Sequence, residues 1–150
     1  MMKKHKIVLL GAFILFLTTQ NVGADVRDNT IVVIVNPESP IQSLTLDQVE
    51  ALYRNDVRYW PDGQMVHLYD MEVDAKARLW FSQSLLQSTP ERVERDWMQR
   101  TMVNEFMGVR KKVVSPAAMQ ERVARDRRAV GYLLKRDLRN EKVRIVATVD

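Results

Sequence analysis

The chain has 150 residues, of which 23 are basic and 19 acidic, and it contains no cysteine. This length suggests one domain, and the absent cysteines exclude disulfides, thiolate metal sites and a lipid-modified cysteine. The basic balance is weak support for nucleic-acid binding, because Lys3, Lys4 and Lys6 lie in the first segment and the rest of the chain carries a net charge of only +1.

That first segment reads as a secretory signal peptide over residues 1–24. Lys3, Lys4 and Lys6 form a basic start, residues 7–17 are apolar and uncharged, and Val22-Gly23-Ala24 fits a small-x-small cleavage pattern. The apolar run falls short of the roughly 20 residues that a membrane span needs. The expected product is a periplasmic domain over residues 25–150, with no membrane insertion after cleavage.

Taken in order, Ile31-Val32-Val33-Ile34-Val35 is a β-branched run that suits a strand buried on both faces, closed by Asn36-Pro37. Thr45 and Gln48 form a capping box, with Leu44 and Val49 as its hydrophobic staple. Leu46, Val49, Leu52 and Tyr53 continue the apolar stripe of that helix. Trp60-Pro61-Asp62-Gly63 is a turn by composition. A strand is expected over residues 65–69, an acidic turn over 70–74, and a helix over 75–87 facing inward through Ala77, Phe81 and Leu85.

Thr89 and Pro90 open a further helix, with Val93, Trp97 and Thr101 on one side. Residues 104–109 read as a loop anchored by Phe106 and Met107. Arg110-Lys111-Lys112 reads as exposed, and Val113-Val114 as a short apolar piece. Ser115-Pro116 caps a helix to about Arg125, in which Glu121 and Arg125 are an i, i+4 pair. Strands are expected over 129–134 and 143–149. This alternation predicts an α/β fold, with a mixed, mostly parallel sheet of about four strands flanked by helices.

Charge is segregated along the chain. Residues 25–75 carry 10 acids and three bases, whereas residues 76–150 carry 17 bases and nine acids. Two solvated faces explain this, and so does a basic surface for an anionic partner.

The residues needed for enzymatic chemistry do not assemble. The chain after residue 24 has one histidine, His67, inside an expected strand. It lacks a Gly-x-Ser-x-Gly elbow, a cysteine nucleophile and a phosphate-cradling glycine loop. Asp70, Glu72 and Asp74 resemble the start of a calcium loop, but Ala75 stands where glycine is needed and Phe81 where the bidentate glutamate is needed. No enzyme, cofactor or metal is expected.

Several motifs in order carry a resemblance: Val32-Val33-Ile34-Val35-Asn36-Pro37, Ser43-Leu44-Thr45-Leu46-Asp47-Gln48-Val49 leading to Leu52-Tyr53, Trp60-Pro61-Asp62-Gly63, Arg78-Leu79-Trp80-Phe81, and Ala129-Val130-Gly131-Tyr132. Together they resemble the phosphate-type periplasmic substrate-binding proteins of ABC transporters, in a small single-lobe form. The resemblance implies a single lobe of that fold. It also implies a small oxyanion, such as phosphate, held at a helix N-terminus by hydroxyl and backbone N–H donors. The family's Ser-Gly-Thr triplet falls on Ala75-Lys76-Ala77, and Arg78 matches the basic residue that often follows it. The implied ligand-binding residues are therefore Ala75, Lys76, Ala77 and Arg78, with an ABC permease or another envelope protein as partner. The triplet's hydroxyls and glycine are absent here. A second expectation is therefore a non-transporting, single-lobe interaction module, in which the face left open by the missing lobe binds a partner or a second copy.

Overall fold

The computed structural model describes residues 29–103, 108–139 and 141–150. The expected signal peptide and the anchors Phe106 and Met107 lie outside the described residues. No helix among the described residues is long and apolar enough to cross a membrane.

The elements run β1 (Ile31–Val35), α1 (Leu46–Tyr53), β2 (His67–Met71), α2 (Lys76–Ser84), α3 (Pro90–Met102), β3 (Val109–Val113), α4 (Pro116–Arg125), β4 (Ala129–Leu134) and β5 (Arg144–Val149). They form one five-stranded mixed sheet in the order β3-β2-β4-β1-β5. β2 is parallel to both of its neighbours, and β1 is antiparallel to both of its own. The α/β lobe with a mixed sheet is thus as expected, with one strand more. The extra strand is β3: Lys111 and Lys112 are exposed, as expected, and Arg110 is half-buried, but all three lie on a paired strand. It is an edge strand, and there long basic side chains can lean over the sheet while their backbone pairs.

β1 is buried along its whole length, as its unbroken β-branched run requires. Adjacent residues of β4 show how the two faces are covered. Gly131 meets α4 so closely that a Cβ there would collide with Met119 Sδ. Tyr132 points the other way and stacks on Phe81 of α2, with ring centroids 3.9 Å apart and planes 6° apart. Because successive strand residues face opposite sides, α4 and α2 lie on opposite faces of the sheet. Tyr53 completes the aromatic cluster edge-on, 4.7 Å from Phe81 and 5.5 Å from Tyr132.

The helix starts follow the sequence closely. Thr45 and Gln48 form the capping box, and Thr89 and Ser115 cap α3 and α4 ahead of Pro90 and Pro116. On α1 the buried side chains are Val49, Leu52 and Tyr53, while Leu46 stays 44% exposed at the first helical position. Thr101 on α3 is likewise exposed.

β2 departs further from expectation. It begins at His67 and continues through Asp70 to Met71, so Asp70 is a buried strand residue instead of the first residue of an acidic turn. Its pairing with β3 extends from His67 opposite Val109 to Met71 opposite Val113. The strand can carry an inward acid because two cations, from α2 and β3, and a tyrosine hydroxyl from β4 meet it.

Candidate functional site at the N-terminus of α2

β2 ends at Met71, and a short turn leads into α2. The turn is closed by the Ala75 N–H donating to the Glu72 carbonyl at 3.0 Å. Ala75 is the N-cap, with extended backbone, and makes no side-chain cap bond. The other three α-helices each have such a cap: Thr45 accepts from the Gln48 N–H, Thr89 from Arg92 and Ser115 from Ala118. Among the described residues, no side chain therefore caps the first turn of α2. The helix dipole adds partial positive charge at the same end. Lys76 is exposed here, Asp74 is exposed beside it, and Glu72 is half-buried.

Beneath this turn lies a charged cluster that the sequence did not disclose. The Asp70 carboxylate is 3% exposed and takes hydrogen bonds from Arg110 Nε at 2.9 Å and Nη2 at 2.6 Å. Arg78 Nη1 pairs with the same oxygen, Oδ2. The second oxygen, Oδ1, accepts from the Tyr132 hydroxyl at 2.5 Å. Glu94 on α3 accepts from Arg110 Nη2 at 2.8 Å and from Lys112 at 2.7 Å. Arg110 also lies over the Trp97 ring, 4.7 Å from its centroid.

The electrostatics follow from this packing. Burial pushes the Arg78 guanidinium below its usual pKa, with the nearby charge of Arg110 acting in the same direction. Burial raises the Tyr132 phenol far above its ordinary value, so it stays a protonated donor. Burial opposes ionisation of Glu94, but the bonds from Lys112 and Arg110 outweigh it and hold its pKa below the ordinary value.

The four residues implied as ligand-binding therefore divide. Lys76 places its side chain in solvent, Ala75 is half-buried, and Ala77 is buried against the core. Arg78 is 1% exposed, and its guanidinium points inward onto Asp70. This corrects the expectation that its charge faces a ligand. As the third helical residue, Arg78 can contribute only its backbone N–H at the surface. One sequence signal could have shown this. Leu68 and Asp70 share a strand face, as do Arg110 and Lys112 on the next strand, so an inward acid meets inward bases.

The opposite face of β2 carries a second polar contact. His67 Nδ1 lies 2.7 Å from Asp126 Oδ2, and the Tyr69 hydroxyl donates to the same oxygen at 3.3 Å. Burial works against the Asp126 charge, yet the His67 bond and the Arg128 N–H hold its pKa below the usual value. Among the described residues, no group of three His, Asp or Glu side chains could hold a metal ion. Asp70, Glu72 and Asp74 do not converge.

No protein-family model and no curated protein matches this sequence. Solved structures do match its fold. An ABC-type phosphate transport receptor from Vibrio cholerae superposes with a TM-score of 0.60 at 17% identity, over 77% of this chain and 44% of that one. A Clostridium perfringens structure with bound phosphate, described as an ABC transporter substrate-binding protein, gives 0.59 at 17% identity, over 77% and 43%. PstS from Borrelia burgdorferi gives 0.52 at 15% identity, over 69% and 40%. The likeness is one of fold, and the chain spans less than half the length of the structures it matches.

Proposed function

We propose that this protein is a periplasmic, single-lobe relative of phosphate-type solute-binding proteins that holds a small oxyanion at the N-terminus of α2. The observation that carries this reading is the first turn of α2. It has no side-chain cap and bears the exposed Lys76, and it follows a central strand in a lobe folded like those receptors. A helix N-terminus with free N–H groups binds phosphate or sulfate without further machinery. In this reading the donors are the N–H groups of Lys76, Ala77 and Arg78. Lys76 adds its charge, and Glu72 and Asp74 keep the affinity low. An ABC permease or another envelope protein is the partner that receives the lobe.

The experiment is a titration of the purified protein with inorganic phosphate and with sulfate, alongside Lys76→Ala. Saturable binding that weakens in Lys76→Ala supports the reading. A folded protein that takes neither anion at millimolar concentration contradicts it.

A specific observation favours a second reading. The one arginine available from the implied triplet region is consumed by Asp70 inside the lobe. A lobe whose guanidinium is internally neutralised suits an interaction module without ligand transport. In that case phosphate is not bound, and pull-down from periplasmic extract or light scattering shows an envelope partner or a homodimer.

A further inference from the structure

We propose that Arg78, Arg110 and Tyr132 form an oxyanion cradle inside the lobe, and that the protein's own Asp70 carboxylate fills it as a tethered ligand. The cradle goes beyond phosphate binding at the surface of α2 and stands independently of it.

The donors come from three elements and converge on one carboxylate. Arg78 reaches Oδ2 from α2, Arg110 reaches Oδ2 from β3 at 2.9 and 2.6 Å, and Tyr132 reaches Oδ1 from β4 at 2.5 Å. Two guanidiniums and a phenol around one carboxylate is the arrangement by which proteins recognise free carboxylates and phosphates. Each donor is also held by contacts that do not involve Asp70. Tyr132 is stacked on Phe81, Arg110 lies over Trp97 and bonds Glu94, and Arg78 is enclosed at 1% exposure.

The cradle also has donor capacity beyond what Asp70 uses. Among the described residues, Arg78 Nε and Nη2 are buried with no hydrogen-bond partner, Nη2 lying 3.7 Å from Glu94 Oε2. The charge count points the same way: Arg78, Arg110 and Lys112 face Asp70 and Glu94, so the cluster keeps a surplus cation even when Asp70 is present. Removing Asp70 leaves the buried Arg78 and Arg110 guanidiniums with only the half-buried Glu94, itself shared with the exposed Lys112, and so favours an anion in its place.

Asp70→Gly deletes a methylene and a carboxylate, the atoms of acetate. Acetate is therefore the probe. The thermal midpoint of Asp70→Gly is measured at pH 7 against acetate, with chloride holding ionic strength constant. The expected result is a saturable rise on the order of 5 °C. Wild type, whose cradle is full, and Asp70→Asn, which fills the space without charge, stay flat. If Asp70→Gly does not fold without acetate, the readout becomes recovery of its far-UV dichroism as acetate is added. An Asp70→Gly protein that responds no more than Asp70→Asn, or never recovers structure in acetate, overturns the proposal.

Discussion

Asp70 stands opposite Lys112 in the β2–β3 register, yet its carboxylate is bonded by Arg110, two residues earlier on the same face of β3. This diagonal contact leaves Lys112 free to pair with Glu94 on α3. One chain of charge thus ties β2, β3, α2 and α3 together under the turn that begins α2. Because the two Asp70 pairs are shielded from water, removing one of their partners leaves an uncompensated charge.

Arg78→Met keeps much of the side-chain volume and removes the charge. Breaking a buried pair in this way costs about 3 kcal/mol or more. Urea denaturation with an unchanged slope and a lower midpoint checks this. An unchanged midpoint means that Asp70 is satisfied by Arg110 and Tyr132 alone.

Gly131→Ala puts a methyl group into the space held by Met119 Sδ and Val123 Cγ2. Overpacking of this kind costs roughly 1–3 kcal/mol. The same denaturation measurement applies. A loss smaller than that of Thr45→Ala, which forfeits about 1 kcal/mol of capping, would show that α4 rides freely on the sheet.

Glu94 and Asp126 both contribute to acid stability. Both titrate below their ordinary values of 4.5 and 3.8. A depressed folded-state pKa gives stability that is fully present above the unfolded value and is lost as pH falls through the folded one. The protein should hold a plateau above about pH 5 and lose stability progressively below pH 4. Glu94→Gln and Asp126→Asn should each start less stable at pH 7 and show a shallower acid slope. Equal slopes in wild type and both variants would place the acid-sensitive groups elsewhere.

Much of this fold was legible because local chemistry and tertiary structure agree. The Thr45–Gln48 capping box, the Thr89–Pro90 and Ser115–Pro116 starts and the run from Ile31 to Val35 all encode their elements locally. β2 and β3 were harder to read. An aspartate two residues after Leu68 resembles a turn, and three successive bases carry no strand alternation. Only the pairing of the two strands makes each tolerable for the other. The candidate site divides the same way. The position of the turn follows from strand-to-helix punctuation, but Arg78 aims inward at Asp70, whose own burial depends on Arg110 and Tyr132, far away in sequence. Asp126 as the partner of His67 is likewise a contact across 59 positions.

The central claim is that the uncapped first turn of α2 holds an oxyanion, and titration calorimetry of inorganic phosphate into wild type and Ala75→Asp tests it most directly. An aspartate at the N-cap supplies the missing cap, stabilises the helix by about 1 kcal/mol and places a negative charge where the anion would sit. Wild type should give saturable heat, and a more stable Ala75→Asp protein none. A folded wild type that gives no heat at millimolar phosphate, or the same affinity in both proteins, contradicts it.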